Sequence, residues 1–223
     1  IPLFVAMAAA TIPLSHGEES RLPNIVFVMA DDMGWGQTGY RNHPVLKTPN
    51  LDTMAASGLR FERFYAGGPV CSPTRASMLT GRSHERTGVL SHGYALRLQE
   101  KSIAQALKKA GYVTGHFGKW HLGSDQSRLP TRQGFDEWFG IPRTTDEAFY
   151  PSAVGFKESG VEPEHIMEGK KGEKSRELEV YDVKQRRLID AEVTRRSIDF
   201  MKRSVKAGKP FYSFVCMTQP HIP

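Results

Sequence analysis

Two apolar runs constrain this chain more than anything else in it: Ile25-Val26-Phe27-Val28-Met29-Ala30 and Phe211-Tyr212-Ser213-Phe214-Val215-Cys216-Met217. The first is continuous and rich in β-branched residues, and it stops at Asp31-Asp32. Such a run reads as a strand buried on both faces, the condition of a parallel sheet enclosed by helices. Helical signals lie between the two runs. Asn50 to Ser57 follows Pro49 and stops at Gly58. Ser102 to Ala110 has a capping Ser and a terminal Gly111, and it leads into a strand over Tyr112 to Phe117. Asp182 to Val205 carries Leu188, Ile189, Val193, Ile198, Phe200 and Met201 among many charges, which suits an amphipathic helix. Gly208-Lys209-Pro210 then turns the chain into the second run. This alternation predicts an α/β fold with a mostly parallel sheet flanked by helices. Residues 142–182 are polar, with scattered Gly and Pro and weak periodicity, and they read as a long surface excursion.

In open α/β sheets, ligands bind outside the carboxyl ends of the strands. Several chemically capable residues fall there. Asp31 and Asp32 follow the first strand and offer hard oxygen donors suited to Ca²⁺ or Mg²⁺; the same pair before Gly34 also suits a turn. Lys119 and His121 follow the strand at 112–117. Two positions apart in an extended segment, they face one side, although either alone also fits a solvated Lys or a capping His. His221, in Gln219-Pro220-His221-Ile222-Pro223, follows the last strand. One further stretch stands out: Pro69-Val70-Cys71-Ser72-Pro73-Thr74-Arg75-Ala76-Ser77-Met78-Leu79-Thr80-Gly81. Pro73 and Thr74 suit the opening turn of a helix. Cys71 then stands at a helix N-terminus, where free N–H groups and the dipole favour anions. Arg75, one turn in, can hold an anion by charge-assisted hydrogen bonds.

The pattern Cys71-x-Pro73-x-Arg75 with its apolar turn and Thr-Gly stop resembles the first sulfatase signature. Gly111-Tyr112-Val113-Thr114-Gly115-His116-Phe117-Gly118-Lys119-Trp120-His121-Leu122-Gly123 resembles the second, with Phe117 where the family more often has a smaller residue. Thr48-Pro49-Asn50-Leu51-Asp52 and Gly134-Phe135-Asp136-Glu137-Trp138-Phe139-Gly140 also look like family segments. The resemblance covers 23–141 well and 183–223 more loosely. It implies an alkaline-phosphatase-like fold and a sulfuric ester hydrolase. It also implies that a maturation enzyme oxidises Cys71 to formylglycine, whose hydrate attacks sulfur. The second hydroxyl of that hydrate lets the aldehyde re-form and release sulfate. By the same resemblance, Asp31, Asp32 and position 71 contribute to a divalent cation site, Ca²⁺ or else Mg²⁺. Lys119 grips a sulfate oxygen, His121 contacts the formylglycine hydroxyl, and His221 lies near the leaving-group oxygen. The family's downstream metal-binding Asp and Asn and its second sulfate-binding Lys have no counterpart here, so the chain reads as an N-terminal fragment of the catalytic domain. The implied partners are a sulfated small molecule or sulfated glycan and the formylglycine-generating enzyme. Two other readings stay open. One is a phosphonate monoester or phosphodiester hydrolase, a group that resembles sulfatases in fold and formylglycine. The other is a non-catalytic protein that binds sulfated glycans, against which the convertible Cys71 argues.

The formal net charge of +6 suits an anionic substrate, and a solvated basic helix explains it equally well. No basic patch interleaved with aromatics is present, so nucleic acid is not expected as a partner. Two cysteines give no disulfide framework. Residues 1–20 are apolar and Ala-rich, then polar, which resembles the end of a secretory signal peptide and predicts export, with a buried N-terminal strand as the competing reading. The apolar part is shorter than the roughly 20 residues that a membrane span needs.

Overall fold

The computed structural model describes residues 22–145 and 150–221, so the expected signal-peptide remnant at 1–20 lies outside the described residues. Six strands form one sheet: β1 (Ile25–Met29), β2 (Val113–Lys119), β3 (Glu137–Ile141), β4 (His165–Lys170), β5 (Arg176–Val180) and β6 (Phe211–Cys216), in the spatial order β1-β6-β2-β3-β4-β5. The first four strands in that order run parallel. Phe27 pairs with Phe214, Phe214 with His116, and His116 with Trp138. The helices are α1 (Pro49–Ser57), α2 (Cys71–Thr80), α3 (His84–Thr87), α4 (Ile103–Lys109), α5 (Phe156–Ser159) and α6 (Val183–Lys206). The sheet is α/β and mostly parallel, as the alternation of elements predicts.

Each face of the sheet buries its own layer. On one face, α6 applies Ile189, Val193 and Phe200 to Phe117, Phe139 and Val215. On the other, Ala76 and Leu79 of α2 and Ala104 of α4 meet Trp120, Phe135 and Phe214. Burial of a large apolar side chain stabilises by about 1.5–3 kcal/mol, and these two layers are what hold the strand ends in register. Local signals agree with this arrangement. Ser102 and Gln105 form a reciprocal capping box at the start of α4, and Asp182 caps α6 through Gln185 N.

Two expectations are corrected. The 25–30 run is not buried on both faces: Val26 and Val28 are 50% and 62% exposed. Among the described residues β1 pairs with β6 alone and is an edge strand, and an apolar run reads the same whether one face or two are covered. Nor is 142–182 only a surface excursion. β4 lies antiparallel to β3, and β5 antiparallel to β4, extending the sheet at its far side. β5 is exposed along most of its length, so little apolar content was needed to form it. No helix among the described residues is long and apolar enough to cross a membrane.

Candidate active site

The carboxyl ends of β1, β2 and β6 converge beside the N-terminus of α2. The ladder between β1 and β6 continues past the strands. Met217 N donates to Met29 O at 2.9 Å, and Asp31 N donates to Gln219 O at 3.1 Å. Asp32 then adopts a left-handed conformation, φ 60°. That reversal turns Asp31 inward, 4% exposed, while the Asp32 side chain is 47% exposed. Such a φ is uncommon outside glycine, and Asp tolerates it better than most residues.

Helix α2 begins at Cys71, and no side chain caps its first turn. The free N–H groups there are oriented toward whatever lies in front of Cys71. Thr74 fixes the loop that enters the helix: its hydroxyl donates to Gly68 O at 2.8 Å and accepts from Gly68 N at 3.1 Å. Arg75 is 2% exposed and points back across the sheet edge. It donates to Lys119 O at 2.7 Å and stands 3.3 Å from Asp31 Oδ1. Lys119, the last residue of β2, is fully buried and donates to Asp31 Oδ2 at 2.6 Å. Gly118 makes that approach possible. It has φ 112°, and a Cβ there would lie 1.8 Å from Cys216 O, so only glycine lets β2 close on β6 one residue before Lys119.

The electrostatics follow from this geometry. Burial alone would raise the Asp31 pKa, but Arg75 and Lys119, with His221, outweigh it and hold the carboxyl below its ordinary value. Cys71 goes the other way. Burial raises its pKa, Lys119 and Arg75 oppose that rise without cancelling it, and Asp31 adds to it. The residue is therefore a protonated thiol, not an activated thiolate. His116, beneath the site, is fully buried among Trp120, Phe135 and Phe214. Burial first, and Arg75 second, push its pKa down to about 3, so it is neutral packing.

His221 enters from β6. One ligand atom each from Asp31, Cys71 and His221 lie within 4.8 Å of one another, and His221 Nε2 is 3.5 Å from Asp32 Oδ2. A cleft of about 310 Å³ opens between Met29–Met33 and Ala66–Arg75 over this group. The structure thus brings Asp31, Asp32, Cys71, Arg75, Lys119 and His221 together. His121 is buried close by, but it is not one of that three-atom group. β2 ends at Lys119, and His121 has φ 56° with its N–H donating to Pro142 O at 3.0 Å. The extended spacing that would align it with Lys119 does not reach it. A larger cleft of about 540 Å³ lies elsewhere, between β3, β4 and α6. Its charges are largely paired with each other, as in Arg203 with Glu137 and Arg196 with Glu168.

The sequence reading missed the residues that hold His221 in place. Asp190 of α6 accepts from Thr218 N, Thr218 Oγ1 and Gln219 N at 2.9, 3.0 and 3.1 Å. Arg186 donates to His221 O at 3.2 Å. Thr144 and Thr145, beyond β3, reach the imidazole itself. None belongs to a motif. The one available signal is that Asp190 and Arg186 are spaced to share a helix face.

The family model described as Sulfatase matches residues 23–223. The chain belongs to the sulfatase family. It is 36% identical to Arylsulfatase G of Rattus norvegicus over 251 residues, covering 99% of this chain and 46% of the relative. It is 34% identical to N-acetylgalactosamine-6-sulfatase of Canis lupus familiaris over 218 residues, covering 90% and 40%. Among solved structures, PsFucS1 sulfatase from Pseudoalteromonas sp. superposes with a TM-score of 0.80 at 30% identity, covering 89% of this chain and 44% of that one. This sulfatase-family chain therefore spans less than half the length of each of these three relatives.

Proposed function

We propose that the protein carrying this chain is a sulfuric ester hydrolase that acts on a sulfated sugar or related sulfate ester, and that Cys71 is the precursor of its nucleophile. One observation carries this reading: a half-buried Cys71 at an uncapped helix N-terminus, facing buried Asp31, Arg75 and Lys119 at the carboxyl edge of a parallel sheet. An ordinary cysteine nucleophile needs a lowered pKa, and burial raises that of Cys71. The thiol therefore suits a residue that is converted before it works. Oxidised to formylglycine, it supplies a hydrated aldehyde whose hydroxyl attacks sulfur.

The rest of the site answers the charge of a sulfate ester. The Lys119 ammonium and the N–H groups at the start of α2 stabilise negative charge on the sulfuryl oxygens. Arg75 fixes both the Lys119 carbonyl and Asp31, so the two charges approach from a set direction. His121 receives the proton released when the aldehyde re-forms, and His221 serves the leaving-group oxygen. The donor set fits a hard divalent cation: Asp31 and Asp32 are adjacent carboxylates beside position 71, and oxidation of Cys71 would replace a soft sulfur with oxygen. Ca²⁺ is the ion proposed; Asp31, Asp32 and residue 71 would hold it, and it would supply electrophilic polarisation of the ester. The Ala-rich stretch before Ser15 supports export of the mature protein.

The sulfated-sugar class is supported by the relatives, one of which is named for N-acetylgalactosamine 6-sulfate. The test uses the complete protein, co-expressed with a formylglycine-generating enzyme. Aryl and sugar sulfates are assayed beside phosphonate monoesters and phosphodiesters. Sulfate-ester hydrolysis that disappears in Cys71→Ala, and on exhaustive chelation, supports the proposal. Full activity in Cys71→Ala removes it. Turnover of phosphonates or phosphodiesters alone transfers the site to that other chemistry. Retention of sulfated glycan without turnover leaves a binding protein.

A further inference from the structure

We infer that Thr145 is a positioning residue for the reaction: its hydroxyl orients the His221 ring so that Nε2 is the nitrogen presented to the reacting oxygen. The inference rests on the proposed role of His221 at the leaving group. Thr145 is fully buried and Thr144 is 2% exposed, while His221 is 5% exposed. Thr145 Oγ1 lies 3.1 Å from His221 Nδ1, and Thr144 Oγ1 lies 3.5 Å from Nε2. Across the ring, Nε2 lies 3.5 Å from Asp32 Oδ2, on the side of the Cys71 cleft.

The contacts that fix the backbone here are separate. Asp190 holds Thr218 and Gln219, Asp31 N holds Gln219 O, and Arg186 holds the His221 carbonyl. All of these leave the two side-chain torsions of His221 unset. The ring orientation is the freedom they do not address, and a buried hydroxyl at Nδ1 addresses it. A hydroxyl can donate or accept, and the partner of one ring nitrogen sets the proton state of the other. When the hydroxyl at position 71 bonds to sulfur, its proton passes to a carboxylate of the neighbouring Asp31–Asp32 pair, the S–O bond to the leaving alcohol breaks and that bond's electron pair stays on the leaving oxygen. The Nε2–H proton transfers to it, giving the alcohol and a neutral imidazole. Throughout, Nδ1–H remains bonded to Thr145 Oγ1, so only Nε2 changes hands.

The experiment uses the complete matured protein and a series of aryl sulfates whose leaving phenols run from nitro-substituted to alkyl-substituted. Wild type, His221→Ala, Thr145→Val and Thr145→Ser are compared by kcat/KM. Loss of a proton donor matters most where the leaving oxygen is most basic. Thr145→Val is expected to lose about tenfold to a hundredfold on the poorest leaving group, a part of the 10²–10⁴ that a general acid contributes, and little on the best. Thr145→Ser, which keeps the hydroxyl, should restore the wild-type slope. If Val does not fold there, Thr145→Ala carries the same comparison. A uniform loss in Thr145→Val beside a graded loss in His221→Ala overturns the role of Thr145 alone, as does failure of Ser to rescue. A uniform loss in His221→Ala overturns the His221 assignment and this inference together, and so does a wild type that hydrolyses no sulfate ester.

Discussion

The molecule keeps two groups of charges, and they follow different physics. At the carboxyl edge of the sheet, Asp31, Arg75 and Lys119 are 4%, 2% and 0% exposed and bind one another directly. Around β3, β4 and α6, Arg195, Arg196, Arg203, Glu137, Glu168 and Glu192 form a comparable set of ion pairs in contact with solvent. In the second group water screens each pair, and contributions of about 0–1 kcal/mol are the rule. In the first, desolvation of each ion costs several kcal/mol, which mutual attraction offsets only with good geometry. Well-packed apolar residues would serve stability at least as well at that edge. Retaining a buried carboxylate between two buried cations is therefore better explained by chemistry than by folding. Mixed charge is ordinary on this surface; its position at three converging strand ends is what carries information.

The sharpest way to break this contrast is Lys119→Met. It leaves Asp31 buried without its closest cation, with Arg75 at 3.3 Å. Removing one partner of a buried pair costs about 3–5 kcal/mol, read as a fall in the denaturation midpoint. Sulfate-ester hydrolysis should fall about 10²–10³-fold, the scale of a lost charge-stabilising donor. The double variant Lys119→Met, Asp31→Asn should recover part of the stability and none of the activity, because coupled sites are not additive. A stability loss no larger than that of a surface pair would show the buried cluster to be ordinary.

Asp190→Ala is expected to act at an intermediate level. It removes the acceptor of three hydrogen bonds and leaves the Thr218 N–H buried without its partner, which costs about 1–3 kcal/mol. Asp190→Asn, which keeps an acceptor, should lose less in both midpoint and turnover. Equal losses in Ala and Asn would mean that the charge of Asp190, rather than its hydrogen bonding, holds the His221 loop.

The strands at 25–29 and 211–216 were legible as apolar runs, and the one at 113–119 because a capped helix ending at Gly111 leads into it. Six of the seven proposed site residues were legible as a group because they end those strands or open α2. At His121 the left-handed backbone departs from the period-two geometry on which its alignment with Lys119 was read, and composition does not announce that turn. β5 escaped because an exposed antiparallel strand needs no apolar signal; Arg176-Glu177-Leu178-Glu179-Val180 has one apolar alternation and four exposed residues. β4 is mostly buried, but its apolar signal is confined to the two adjacent residues Ile166 and Met167. Thr144, Thr145 and Asp190 are common residue types at positions that matter only after the chain has folded. Thr144 and Thr145 lie 77 and 76 residues from His221 along the chain, and Asp190 lies 28 residues from Thr218.

The smallest expected effect lies in the exposed group and tests the other side of the contrast. Glu192 receives hydrogen bonds from Arg195 and Arg196 at 2.6 and 2.7 Å. The Arg195 bond, opposed by slight burial and reinforced by Arg196, lowers its pKa from 4.5 to about 2. A carboxyl lowered on folding stabilises the native state above its unfolded pKa, and that contribution is lost as pH falls through the folded value. Any advantage of Glu192 over Glu192→Gln should therefore be complete above pH 4.5 and gone near pH 2. Because the side chain is 35% exposed, its size should stay within about 0.5 kcal/mol, as for an ordinary surface substitution. Raising salt should shrink it further. Paired urea titrations of the two proteins at pH 7 and at pH 3, at low and high salt, read all three expectations. A salt-insensitive difference of several kcal/mol would place Glu192 in the same physical class as Asp31 and dissolve the distinction between the two charge groups.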